Sequence, residues 1–264
     1  MIRLFATDLD GTLLNDQKTV NHDDRDALGQ LHNQGIRRCL ASGRLRSEMI
    51  KVAQSLEGSF DLICQNGAHV ETAEGEVLLE RRFTPDLAIS LYPLLTAHDV
   101  LVVTCLPDKD IIETHTTRAI AVEKRLYQPY QEMPDLPTRI GNDILPSKFS
   151  LFGDMADLKQ VERRLHETFS EEITTYVSDF DCLDIMPGEV SKGAGLAILM
   201  NRLHLTKDDT ACIGDSFNDV SMFSVAKYSF AMDHAVPGVK EQSTMTATCV
   251  ADAVKQLMPR HNIK

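Results

Sequence analysis

No apolar run approaches the ~20 residues that a membrane-spanning helix needs. The longest, such as residues 196–200, are short and sit in amphipathic surroundings. Near the N-terminus Asp8 and Asp10 break the apolar stretch before it reaches the length of a signal-peptide core, so no leader is expected. Six cysteines are present, Cys39, Cys64, Cys105, Cys182, Cys212 and Cys249, and the closest pair is 25 residues apart. That separation excludes zinc-type and redox-type spacings. Most of these cysteines lie in apolar runs, and buried free thiols in a reducing cytoplasm are expected. Basic charge is also in short supply. Lys and Arg total 27 against 39 Asp and Glu, a net charge of −12. This argues against a sequence-independent binder of nucleic-acid backbone, which wants a basic face. It does not argue against a small anionic substrate, because a local site can be positive on an acidic protein. There is no internal repeat and no low-complexity segment.

What is present reads as a globular α/β protein. The 264 residues are 43% hydrophobic and 25% charged, enough for one large domain or two modest ones. Residues 2–7 form an apolar run of strand length. Asn21 is placed to cap a helix over 22–33, with Ala27, Leu28 and Leu31 on one face and Gly35 as its stop. A strand at 36–41, a helix at 47–56 and a strand at 62–64 follow, so the segment is a parallel sheet with helices on its faces. A hairpin over 70–79 turns at Ala73–Glu76. The texture then changes. Thr84 and Pro85 open a helix to about 97. Strand pieces are expected at 100–104 and 111–114, then a proline-rich stretch over 129–146 and a strand at 148–152. Asp154 caps a helix with Leu158, Val161, Leu165 and Phe169 at helical spacing, and strands follow at 173–177 and 182–186. From Ser191 the first texture returns, with a helix carrying Leu196, Leu199, Met200 and Leu203 and strands at 211–214 and 228–231. The fold class expected is α/β: a Rossmann-like parallel-sheet core made of 1–82 and 188–264, with an inserted α+β domain over 83–187.

Ligands of open parallel sheets bind beyond the carboxyl ends of the strands. Two such ends are acidic here: Asp8-Leu-Asp10-Gly-Thr12 and Gly214-Asp215-Ser216-Phe217-Asn218-Asp219. Taken singly, each is also what a turn or helix cap looks like. Taken together, four carboxylates at strand ends repel unless a cation sits among them, and hard oxygen ligands suit Mg²⁺. An EF-hand is excluded, since its sixth and twelfth positions would be Leu13 and Thr19.

Asp8 to Thr12 after an apolar strand resembles the first motif of the haloacid dehalogenase superfamily. Ala41-Ser42-Gly43-Arg44 resembles its second, Ser191-Lys192-Gly193 its third, and Gly214 to Asp219 its fourth. Asn66-Gly67-Ala68 is similar to a signature of the Cof-type subgroup. The resemblance covers nearly the whole chain, and 149 residues separate Ser42 from Lys192, the second insertion point of the superfamily. It implies the type IIB α/β cap, which closes over the cleft and selects the substrate. It further implies a cytoplasmic, Mg²⁺-dependent phosphatase acting on a small phosphorylated metabolite, a sugar phosphate or a phosphorylated cofactor. Asp8 would be the nucleophile, forming an aspartyl-phosphate. Asp10 would protonate the leaving oxygen and then activate water. Lys192 would neutralise charge, and Ser42, Gly43, Lys192 and Asn218 would hold the phosphate. Asp8, the Asp10 carbonyl and Asp215 would hold the metal, with Asp219 orienting Lys192 or binding behind the metal. Thr12, Arg44 and Asn66 would support the site. ATPases of the superfamily carry Thr where this chain has Asp10. His115 and Arg118 are weaker candidates for reading a substrate, Asp184 is a candidate carboxylate facing the cleft, and Glu189 is an acid close to where an anionic substrate would pass. A phosphomutase shares the same motifs, and a non-catalytic metabolite sensor is the remaining alternative.

Overall fold

The computed structural model describes residues 1–126 and 129–258. The chain divides into two compact units, Met1–Glu80 with Ser191–Lys264, and Arg81–Val190. The sequence pattern places these boundaries at 82/83 and 187/188.

In the first unit, β1 (Leu4–Thr7), α1 (His22–Asn33), β2 (Arg37–Ala41), α2 (Arg46–Gln54) and β3 (Asp61–Cys64) alternate as the apolar pattern predicts. β4 (His69–Glu71) and β5 (Val77–Glu80) form the hairpin that ends this half. After the insertion the unit resumes with α7 (Lys192–Arg202), β12 (Thr210–Gly214), α8 (Val220–Val225), β13 (Tyr228–Met232), α9 (Pro237–Lys240), β14 (Met245–Ala247) and α10 (Val250–Leu257). The sheet order is β14-β13-β12-β1-β2-β3-β4-β5. All pairs are parallel except β3–β4 and β4–β5. Side chains of β1 alternate between faces. Phe5 packs with Leu28, Leu31, Met49, Val250 and Leu257 on the side of α1, α2 and α10. Leu4 and Ala6 pack with Leu196, Leu199, Met222 and Val239 on the side of α7, α8 and α9. With both faces covered, the central strands are buried throughout.

β12 and β2 flank β1 on opposite sides, so the order in which successive strands are added to the sheet reverses about β1. That is the topological switch point, where a crevice opens beyond the strand ends. Asp8 follows β1, Ser42 follows β2 and Asp215 follows β12.

The second unit holds α3 (Pro85–Thr96), β6 (Leu101–Cys105), β7 (Asp110–Ile112), α4 (Thr117–Leu126), β8 (Gln131–Glu132), α5 (Leu136–Arg139), β9 (Lys148–Phe152), α6 (Met155–Phe169), β10 (Ile173–Asp179) and β11 (Cys182–Pro187). Its sheet runs β10-β11-β9-β6-β7-β8, antiparallel except for β7–β8. Val102, Phe149, Leu151, Leu183 and Ile185 meet α3 and α6 on one face. Leu101, Val103, Ile112 and Phe152 meet Ala119 and Val122 of α4 on the other.

Some local expectations give way. Asn21 precedes α1 but its side chain makes no cap bond. Its oxygen instead accepts from Asn15 Nδ2 at 3.0 Å. The stretch over 129–146 contains β8 and α5, and α4, α8, α9, α10 and β14 were not foreseen. Five of the cysteines are buried and all six are free, with Cys249 partly exposed. Among the described residues no helix is long and apolar enough to cross a membrane.

Candidate active site

Ser191 caps α7, its Oγ accepting from Ala194 N at 3.0 Å. This starts the helix at Lys192 and sends the lysine into the interior, where it is 1% exposed. Lys192 Nζ donates to Asp8 Oδ1 at 2.6 Å and to Asp219 Oδ1 at 2.7 Å. Asp219 is fixed from its other oxygen, which accepts from the backbone N–H groups of Asp215 at 2.9 Å and Ser216 at 3.0 Å. Asp215 is oriented by hydroxyls: Thr12 Oγ1 donates to it at 3.2 Å and Ser216 Oγ at 3.1 Å. Gly11 brings the first motif against this carboxylate. A Cβ there would stand 2.6 Å from Asp215 Oδ2, and its φ of +80° lies in the left-handed region that glycine tolerates.

Oxygens of Asp8, Asp215 and Asp219 lie within 4.8 Å of one another. Three carboxylates around one buried ammonium leave an excess of negative charge. Burial, then the neighbouring carboxylates, push the Asp8 carboxyl well up despite Lys192. Burial and Asp219 push Asp215 up as well. Burial works against the charge of Lys192, but Asp219 and Asp8 outweigh it and hold its pKa above the ordinary lysine value. All-oxygen donors with unneutralised charge are what a hard divalent cation fits. Both oxygens of Asp219 accept, from Lys192 and two backbone N–H groups, and both of Asp215 accept from the hydroxyls of Thr12 and Ser216, while Asp8 is gripped by Lys192 through Oδ1.

The Asp10 side chain is outside that acidic cluster. It faces Arg44, whose Nε and Nη2 donate to its two oxygens at 2.6 and 2.7 Å, and Lys18, whose Nζ donates at 2.7 Å. Burial raises the Asp10 carboxyl, but hydrogen bonds and charge from Arg44 and then Lys18 overcome it and hold the group at about 2. Arg44 was foreseen only as a supporting residue, and Lys18 was missed. Nothing in the composition around Lys18 marks it. The signal is the turn Asn15–Thr19, which folds back toward Asp10.

Ser42 is buried at the end of β2, and its Oγ accepts from Arg44 N at 3.3 Å. Asn66 is fully buried with φ +55°, between Gln65 at +48° and Gly67 at +104°. Gln65 and Asn66, two successive non-glycine residues in the left-handed region, are a strained backbone of the kind that clusters at functional sites. Asn66 Oδ1 accepts from Asn218 Nδ2 at 3.1 Å and would lie 3.3 Å from a Cβ on Gly43. The structure therefore brings Asn66, Asn218 and Gly43 together. Asn218 Oδ1 is buried without a hydrogen bond.

In the second unit His115, Arg118 and Asp184 have partners of their own. His115 faces Glu132 at 2.9 Å and Glu123 at 3.1 Å, and Arg118 pairs with Asp99. Asp184 is buried, accepting from Ser150 Oγ at 2.6 Å and facing Lys148 Nζ at 3.2 Å. It is a cross-strand partner. Glu189 is exposed with φ +64°.

Known proteins place this chain in a family. A model of the haloacid dehalogenase-like hydrolases matches residues 5–257, and the chain belongs to that family. It is an enzyme, a hydrolase with the Rossmann-like core and α/β insertion of the Cof-type members. The HMP-PP phosphatase of Enterobacter sp. (strain 638) is 28% identical over 243 residues, covering 90% of this chain and 86% of that protein. A haloacid dehalogenase-like hydrolase from Bacteroides thetaiotaomicron superposes with a TM-score of 0.85 at 25% identity, covering 98% of this chain and 100% of that one. A HAD/COF-like hydrolase from Plasmodium vivax shares the fold at a TM-score of 0.87 and 19% identity, covering 98% and 96%.

Proposed function

We propose that this hydrolase is a Mg²⁺-dependent phosphatase of small phosphate esters working through an aspartyl-phosphate on Asp8. The observation that carries the reading is the contact of Asp8 with Lys192, at 2.6 Å in a buried strand-end site. A carboxylate attacking a phosphate dianion needs cationic neighbours and a shielded setting. Relatives named HMP-PP phosphatase, 28% identical, favour a small phosphorylated metabolite. The buried thiols fit a reducing compartment, the cytoplasm.

Asp8 and Asp215 would hold Mg²⁺ together with the Asp10 carbonyl, and the ion would supply charge neutralisation for the transferring phosphoryl group. The remaining roles fall to the chain. Ser42, Gly43, Asn218 and Lys192 hold phosphate oxygens, and Asn66 and Asp219 fix Asn218 and Lys192. An Asp8 oxygen forms a bond to phosphorus as the ester P–O bond breaks and its electron pair leaves with the alcohol oxygen. Asp10 takes up a proton as the phosphate enters beside it, since a second negative charge raises its pKa. It passes that proton to the leaving oxygen and recovers one from the water that hydrolyses the Asp8–phosphorus bond. Mass spectrometry of protein quenched in acid during turnover of p-nitrophenyl phosphate tests the intermediate. A phosphoryl increment on the peptide holding Asp8 is expected. Its appearance on another residue, or its persistence in Asp8→Asn, contradicts the assignment.

A further inference from the structure

Every nitrogen of the Arg44 guanidinium that the structure engages faces a carboxylate. Nε and Nη2 grip the two oxygens of Asp10 at 2.6 and 2.7 Å. Nη1 stands 3.5 Å from Glu48 Oε1. Glu48 is itself held, because its Oε2 accepts from Leu45 N at 3.1 Å and closes the first turn of α2. The Arg44 side chain is only 19% exposed. An ordinary surface ion pair has two loose chains in water and contributes little. Here a planar fork, braced from behind by a helix turn, meets a carboxylate in bidentate register, the arrangement that fixes direction as well as charge.

The second cation comes from a built turn. Asn15 Oδ1 accepts from the N–H groups of Gln17 at 3.0 Å and Thr19 at 3.1 Å. Asn15 N donates to Thr19 O at 3.0 Å, and Lys18 N to Asn15 O at 2.8 Å. Lys18 sits in the left-handed region at φ +58°. Its ammonium returns to Asp10 Oδ1 at 2.7 Å. Two elements distant in sequence therefore converge on one carboxylate.

We propose that Arg44 is a positioning residue for Asp10, and that Arg44 with Lys18 forms a two-cation seat setting the direction of the carboxyl group that handles the leaving-group and water protons. This rests on the phosphatase reading above. It assigns Arg44 to Asp10 and not to the substrate phosphate, because its fork is already occupied.

The test compares two esters with Mg²⁺ present, for wild type, Arg44→Ala, Arg44→Lys and Lys18→Met. p-Nitrophenolate leaves without needing a proton, whereas the alkoxide of glycerol phosphate needs one. A positioned acid contributes up to about 10²–10⁴-fold, so Arg44→Ala should lose at least about tenfold in kcat/KM on glycerol phosphate and under about threefold on p-nitrophenyl phosphate. Its p-nitrophenyl phosphate reaction should show a burst, because water activation on the phosphoenzyme is slowed. Arg44→Lys should recover part of the glycerol phosphate loss. Lys18→Met, an exposed change that leaves the core untouched, should shift the ester ratio in the same direction by less. Equal losses on both esters with a raised KM would make Arg44 a phosphate ligand and overturn the inference. No change in the ester ratio in Arg44→Ala and Lys18→Met would overturn it too. A wild type that releases phosphate from neither ester would remove the phosphatase reading and this inference with it.

Discussion

At the residue scale the site is governed by how one buried lysine is shared. Lys192 touches Asp8 and Asp219, and all three are nearly inaccessible. Lys192→Met would leave two buried carboxylates without their cation, a loss of roughly 3–5 kcal/mol by the cost of breaking a buried pair. Denaturant unfolding should show it, and turnover should disappear with it. Asp8 behaves oppositely. Burial raises its pKa in the fold, so at neutral pH its charge costs stability relative to the unfolded chain. Asp8→Asn should therefore abolish turnover while leaving Tm at or above wild type. A fall of several degrees would contradict this. Asp10 supplies the pH dependence. Its carboxyl, raised by burial but held down by Arg44 and Lys18, titrates at about 2 against an ordinary 3.8. A lowered acid pKa stabilises the fold above the unfolded value and ceases to do so as pH falls toward the folded one. The stability difference between wild type and Asp10→Asn should thus be steady from pH 7 to about 5 and shrink between about 4 and 2. A difference independent of pH would show that the cations do not grip this carboxylate.

At the element scale, helix starts deliver the chemistry. Ser191 caps α7 and sets Lys192 as its first residue. Ser191→Ala should cost about 1 kcal/mol of stability and reduce turnover through a misdirected Lys192, both measurable on one purified variant. Gly67 leaves no room for a side chain, since a Cβ would overlap the Ser191 carbonyl oxygen at φ +104°. Most elements could be read from the sequence because period and cap agree. α6 follows Asp154, whose Oδ1 accepts from Ala156 N at 2.8 Å, and buries Leu158, Val161, Leu165 and Phe169 as spaced. α4 escaped because its buried residues number only two, Ala119 and Val122, while Ile120 is exposed. β14, three residues long, is held by tertiary pairing with β13 and has no pattern of its own. Asn21 failed as a cap because Asn15 captured its oxygen, a loop contact that no local rule anticipates.

At the scale of the whole molecule, the strand-end motifs could be read because a parallel sheet sends β1, β2 and β12 to one edge. Residues far apart in the chain then meet by topology alone. Asn66 and Asn218 are 152 positions apart and share a hydrogen bond. What could not be read was side-chain direction. The sequence groups Asp8 and Asp215 with the Asp10 carbonyl and says nothing of where the Asp10 carboxylate points: it turns to Arg44 and Lys18, while the carboxylates of Asp8, Asp215 and Asp219 cluster. Rotamer choice depends on which cation is in reach, and Lys18 reaches Asp10 only through its turn. The second unit is one continuous segment, Arg81–Val190, with apolar clusters on both faces of its sheet. Expressed alone it should fold and unfold cooperatively, because it carries its own core. Thermal unfolding followed by circular dichroism checks this, and a featureless, non-cooperative trace would contradict it.

The central claim is that Asp8 is the nucleophile of a metal-assisted phosphatase. The most direct measurement is phosphate release from a panel of small phosphate esters, with Mg²⁺ or with EDTA, for wild type and Asp8→Asn side by side. The account predicts release by wild type only, abolished by EDTA, with the ranking of esters beginning to define the substrate. Release by Asp8→Asn at the wild-type rate, or by wild type undiminished in EDTA, would contradict it.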